Sequence, residues 1–160
     1  MMDGRPLTDG EWRALSPGLV QALKAVGAAP AIVPRPHRAA QMASLWRGGQ
    51  TILTRGDAIW WPDAPADLSI SLRCMPVLQH ELQHVLDYRL GQLTAVRYLT
   101  NPLNWTYRWR LKAGRPWRAF GAEQRASMAE AFWRIENGLA AADDLDALRT
   151  LIPWASGQPN

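Results

Sequence analysis

The sequence predicts an α+β fold, mostly helical with a small antiparallel or mixed sheet, and three observations carry that expectation. Two long segments free of internal Gly and Pro, Val77–Leu90 and the stretch between Gly121 and Gly138, place apolar residues at helical spacing. Three short runs rich in β-branched and aromatic residues, 31–33, 51–54 and 58–61, are bounded by turn residues. The bulk numbers, 160 residues with 48% hydrophobic and 20% charged, suit one domain, residues 1–160, around one core spanning about 5–152.

Taken in order, Thr8 is placed to cap a first helix running to about Ala28, with an interruption at Ser16-Pro17-Gly18. Ala31-Ile32-Val33 reads as a strand closed by Pro34. Thr51–Thr54 and Ala58–Trp61 read as two more, joined at Arg55-Gly56-Asp57 by a hairpin-type connection. Pro62 to Ser71 is turn-rich. Pro76 suits a first helical turn, and Gly91 a stop, so Val77–Leu90 reads as an amphipathic helix. Leu78, Leu82, Val85 and Leu86 form its core stripe. His80 and His84 point the other way, into a polar space, with Val77, Asp87 and Tyr88 nearby. Residues 107–112 alternate aromatic or apolar with cationic, which reads as a strand or loop with the aromatics inward and the arginines solvated. A second helix covers Phe120–Asn137. Asp143 is placed to cap a last short helix to about Leu151, and Gly157–Asn160 reads as frayed.

The chemistry concentrates in His80-Glu81-Leu82-Gln83-His84, an H-E-x-x-H sequence. Positions i and i+4 of a helix share a face, so both imidazoles can reach one metal ion. Glu81 lies about 100° round the helix from His80, where it can touch a metal-bound water without being a ligand. Zn²⁺ lowers the pKa of such a water to about 7, and a carboxylate can then take its proton as the water attacks a carbonyl. The pattern is short and also occurs on ordinary surface helices, so a third ligand matters. A metzincin would need Gly at position 87 and His at position 90, and the chain has Asp87 and Leu90. The remaining common arrangement is a glutamate on a later helix, as in gluzincins. On the second helix Glu123, Ser127, Glu130 and Arg134 share one face, and Glu136 lies off it. Spacing alone leaves Glu123 and Glu130 equal, although a carboxylate in the first turn is also favoured by the helix dipole.

The motif, followed by Leu111-x-x-Gly114-x-Pro116-Trp117 and Phe120-Gly121-x-Glu123-Gln124-x-Ala126, resembles the short bacterial Vgr-related proteins. The opening Arg5-Pro6-Leu7-Thr8-x-Gly10-Glu11 is similar to theirs as well, so the likeness runs with gaps from about residue 5 to residue 137. Those proteins are compact, zincin-like domains with gluzincin-like motifs, linked by name to type VI secretion components. The resemblance implies His80, His84 and Glu123 as metal ligands and Glu81 as base. It also exposes a departure: the family usually carries Tyr where this chain has Phe120. Tyr107, which matches another aromatic position of the pattern, and Tyr88, near Glu81 on the first helix, are candidate phenol donors to an oxyanion. Taken singly, each reads first as a packing residue.

The remaining signals narrow the function. Nine tryptophans supply large surfaces for burial, and the formal charge of +4, mostly from arginine, discriminates little. A single cysteine, Cys74, excludes an internal disulfide; it reads as a core or loop residue, and no second cysteine supports a thiolate ligand. Met1–Leu7 is polar, and the apolar stretch Leu19–Ile32 is broken by Lys24, Gly27 and Pro30. No signal peptide or membrane span is therefore expected. The expected setting is cytoplasmic, with signal-less export by a secretion machine left open.

The leading expectation is a zinc metallopeptidase with a peptide or protein substrate. The alternative is a catalytically inactive metal-binding adaptor of a secretion apparatus. The Arg108-Trp109-Arg110 segment alone suggests nucleic acid, which is the weakest of the three. By analogy with zinc peptidases, the Ile59–Trp61 strand is placed to line the cleft and pair with an extended substrate; an ordinary covering sheet explains it equally well.

Overall fold

A computed structural model describes residues 4–37 and 51–156 and shows a mostly helical α+β fold with one four-stranded mixed sheet. In chain order the elements are β1 (Arg5–Pro6), α1 (Asp9–Ala14), α2 (Pro17–Ala25), β2 (Ala31–Val33), β3 (Leu53–Arg55), β4 (Ala58–Trp60), α3 (Cys74–Arg89), α4 (Ala95–Thr100), α5 (Ala122–Glu136) and α6 (Leu145–Leu151). Short 3-10 turns occupy Leu68–Ile70, Pro102–Trp105 and Trp117–Ala119.

Thr8 caps α1 reciprocally. Its hydroxyl accepts from the Glu11 N–H at 3.1 Å, and the Glu11 carboxylate accepts from the Thr8 N–H at 2.7 Å. Glu11 is fully buried and also accepts from the Arg5 guanidinium and the Leu68 N–H, tying β1, α1 and the Leu68–Ile70 turn together. The chain leaves helical geometry at Leu15 and re-enters it at Pro17, so the expected interruption is real and α2 ends at Ala25. The last helix starts at Leu145 behind Asp144 rather than Asp143. The reading of Gly157–Asn160 lies outside the described residues.

The sheet order is β1-β2-β4-β3, with β2 and β4 parallel and the two outer pairings antiparallel. This corrects the role expected for the Ile59–Trp61 strand. β4 spends its backbone hydrogen bonds on β2 and β3, so it has no edge to offer a substrate. Among the described residues the strand at the sheet's margin on that side is β3, and β3 packs against α3.

α3 is more buried than an amphipathic surface helix. The expected leucine stripe is inside, with Leu78, Leu82 and Val85 fully buried, but Gln79, Gln83 and Asp87 are inside as well. The reason is that α3 is central: α5 crosses it on one side, β3 and α2 lie on others, and Trp154 reaches back to donate its indole N–H to Gln83 Oε1 at 2.8 Å. Asp87, expected beside a polar space, instead has a partner from a distant segment. Asp87 accepts from Arg125 Nε at 3.0 Å, Arg125 Nη2 at 2.8 Å and Gln83 Nε2 at 2.9 Å.

The core gathers Leu19 and Leu23 of α2, Ile32 and Ile59 of the sheet, the α3 stripe, and Met128, Phe132 and Trp133 of α5. Of the tryptophans, Trp117, Trp133 and Trp154 are buried, whereas Trp105 is half exposed. Residues 107–112 form no strand. Trp109 and Leu111 pack on the core, Arg108 and Arg110 are exposed, and Tyr107 is half exposed rather than packed in the core. Among the described residues no helix is long and apolar enough to cross a membrane.

Candidate metal centre

The crossing of α3 on α5 builds the site. His80 and His84 project from one face of α3, one turn apart, and meet Glu123 in the first turn of α5. Glu123 Oε2 lies 3.2 Å from His80 Nε2 and 3.3 Å from His84 Nε2. The three ligand atoms lie within 4.8 Å of one another, and all three residues are buried. Donors at about 2.0–2.1 Å around a tetrahedral ion sit about 3.3 Å apart, so the two nitrogen–oxygen separations suit one shared cation. Two imidazoles and a carboxylate also form a donor set that zinc accepts. The group is thus able to hold a metal ion.

The local sequence explains why Glu123 arrives there. Gly121 is the N-cap of α5, and its N–H donates to Gln124 Oε1 at 3.0 Å. A Cβ at Gly121 would collide with the Leu103 carbonyl, so only glycine lets the Pro102–Trp105 turn approach this closely. That turn then supplies Asn104 Oδ1 as acceptor for the Ala122 N–H at 2.8 Å. Behind the ligand, the buried Arg125–Asp87 pair pins α5 to α3.

Both glutamates that spacing left equal are at the site, in different positions. Glu123 meets the Nε2 atoms; Glu130, two turns along, faces His80 Nδ1 with its Oε2 at 3.4 Å. A carboxylate on the far nitrogen of a ligating imidazole fixes ring orientation and raises its basicity. Glu130 is held in turn by the Arg134 guanidinium at 2.9 Å.

Glu81 is buried outside the three-atom cluster, and its Oε2 accepts from the Thr54 hydroxyl of β3 at 2.7 Å. Tyr98 of α4 donates its hydroxyl to Glu123 Oε1 at 2.8 Å, leaving Oε2 to the histidines. Neither Thr54 nor Tyr98 stood out in the sequence. Tyr107 lies over His80, ring centroids 6.0 Å apart and planes 28° from parallel. Tyr88 is half-buried, its phenol pushed up by burial with Arg55 pulling the other way, and no hydrogen bond joins it to Glu81. Phe120 is buried in the core with the Arg115 guanidinium 4.0 Å above its ring. Cys74, at the start of α3, is half-buried against the core and outside the cluster. His37 packs edge-on against Trp60 and is not part of the cluster either.

The electrostatics follow from burying two histidines among carboxylates. Burial disfavours a charged His80, but Glu123 and Glu130 outweigh it and raise its pKa to about 10. Burial likewise disfavours ionised Glu123, and the two imidazoles outweigh it, holding the carboxyl well below its usual range. At neutral pH the metal-free site therefore carries a proton on His80, which an incoming cation must displace. Cation binding is expected to release about one proton, so affinity should fall about tenfold per pH unit of acidification below pH 10. Calorimetry at pH 7.5 in buffers of different ionisation enthalpy checks this; a binding enthalpy independent of buffer would contradict it.

No family model matches the chain, and no curated protein or solved structure is found to be similar to it.

Proposed function

We propose that this chain is a zinc-dependent hydrolase of the gluzincin type acting on peptide bonds. The observation that carries this reading is the convergence of His80 Nε2, His84 Nε2 and Glu123 Oε2, with Glu81 of the same helix buried alongside but outside the ligand set. Zinc held by those three residues would supply Lewis acidity and an acidified water.

The chain's own groups would do the rest. Thr54 fixes one oxygen of Glu81, so the other is available to take a proton from the attacking water and return it to the leaving amine. Tyr98 orients Glu123, and Glu130 places a negative charge beside His80 Nδ1. Tyr107, exposed beside His80, is the candidate donor to the developing oxyanion, in place of the hydroxyl that Phe120 lacks. The margin of β3, immediately beside Glu81, would align an extended peptide. The resemblance to Vgr-related proteins supports a setting in a secretion apparatus, with the chain in the cytoplasm or exported without a cleaved signal.

One observation favours a second reading. Phe120, where those proteins usually carry Tyr, is a core residue with no polar group for the site, as in a metal-binding adaptor that has lost catalysis. Assay of the zinc-loaded protein against a broad panel of quenched fluorescent peptides separates the two. Zinc-dependent cleavage supports the hydrolase. A zinc-replete protein that cleaves nothing overturns it in favour of the adaptor.

A further inference from the structure

The wall beside the metal centre has a composition that the chemistry of the centre does not explain. Between Gly91 and Gly121 there are six cations, Arg97, Arg108, Arg110, Lys112, Arg115 and Arg118, and no acid at all. None of the six has a carboxylate partner among the described residues. The same segment leaves large apolar side chains in the open: Val96 and Leu99 on α4 are 70% and 67% exposed, and Leu103 and Trp105 follow on the next turn. Single exposed apolar residues are ordinary, but four along two consecutive turns, in a segment whose cations have no carboxylate partner, mark an interaction surface.

This surface is built. The Trp105 indole donates to the Tyr98 carbonyl at 2.9 Å, Asn104 Nδ2 donates to the Arg97 carbonyl at 2.8 Å, and Gln124 Nε2 donates to the Arg108 carbonyl at 2.7 Å. It is also continuous with the centre: Tyr98 of α4 holds Glu123, and Tyr107, next to Arg108, lies over His80. The surface thus adjoins the metal ligands.

We propose that this wall selects the substrate, and that the substrate is an acidic polypeptide segment carrying bulky apolar side chains. The inference rests on the peptidase reading above. Complementary charge names the occupant: arginines and a lysine with no carboxylate of this chain beside them call for carboxylates, and the apolar turns call for Leu- or Phe-type side chains between them. The stretch 38–50 of this chain carries Arg38 and Arg47 and no acid, so it brings no matching charge.

The test measures binding apart from cleavage. Zinc-loaded protein carrying Glu81→Gln is titrated by fluorescence anisotropy with a fluorescein-labelled peptide that has Asp and Glu around a Leu-Phe pair. The comparison ligands are the Lys counterpart of equal length, a single-stranded oligonucleotide, and phosphatidylserine–phosphatidylcholine vesicles. The acidic peptide is expected to bind at least about tenfold tighter than its Lys counterpart, and to weaken steeply with added salt. Arg108→Glu with Arg110→Glu should abolish that preference. Leu99→Ser with Val96→Ser should weaken binding at unchanged salt dependence, and these exposed sites leave the fold and the zinc content intact. Equal affinity for the two peptides overturns the proposal, as does indifference to the charge reversals. Tighter binding of the oligonucleotide or the vesicles overturns it in favour of a nucleic acid or a lipid surface. A charge-dependent preference in a protein that cleaves nothing sustains this surface and sinks the hydrolase; cleavage without the preference does the reverse.

Discussion

Glu81→Gln is expected to lower peptide hydrolysis by about 10²–10⁴-fold, the usual contribution of a positioned general base, while zinc content and thermal stability stay as in the wild type. The argument is local. Gln is isosteric with Glu and can still accept from the Thr54 hydroxyl through its amide oxygen, so the side chain keeps its place between β3 and α3. Glu81 is not among the three ligand atoms, so zinc has no reason to leave. What the amide cannot do is accept a proton from water at neutral pH. Hydrolysis unchanged by this substitution would remove Glu81 from the chemistry. Loss of zinc together with activity would mean that it acts through the site's structure instead.

Arg125→Met is expected to produce the largest loss of stability. It leaves the Asp87 carboxylate, which is fully buried, without its countercharge. Removing one partner of a buried ion pair costs about 3–5 kcal/mol. In a chain of this size that lowers the melting temperature by roughly 10 °C. Arg125 also donates Nη1 to the Phe120 carbonyl at 2.6 Å and stands two residues from Glu123, so zinc affinity should fall as well. Burial pushes the Asp87 carboxyl up and Arg125 is the largest of the groups that offset it, so the variant exposes much of that unfavourable burial. Adding Asp87→Leu to Arg125→Met should recover much of the stability, because an apolar pair of similar volume removes the stranded charge. A change under about 1 kcal/mol in the single variant would show that the pair holds nothing together.

The parts of this account that could be read in the sequence are those set by short-range spacing. The two histidines four apart, the glutamate after the first and the leucine stripe are all consequences of helix geometry, and the structure has them on one helix. Thr8 was legible as a cap, and Gly91 and Gly138, both with positive φ, follow the last turns of α3 and α5. Glu123 and Glu130 could not be separated, because they lie two turns apart on one face. Only the angle at which α5 crosses α3 decides which meets Nε2 and which meets Nδ1. Thr54 and Tyr98 were invisible for a related reason. One sits 27 residues from its partner across a strand–helix contact, and the other lies on a six-residue helix with no apolar periodicity. The strand order was hidden too, since runs of three residues carry no signal of which strand is flanked on both sides. Asp87 read as part of a polar face because its partner Arg125 comes from far along the chain; the buried Gln79 and Gln83 likewise take partners from Ser16 and Trp154.

Metal content tests the shared cation most directly. Purified protein, dialysed with a slight excess of zinc and then desalted, is assayed by elemental analysis beside His84→Ala and Glu123→Ala, with circular dichroism to show that each is folded. The expected result is about one zinc per chain in the wild type and almost none in either folded variant. Zinc retained by both variants, or absent from the folded wild type, would contradict a centre made of His80, His84 and Glu123.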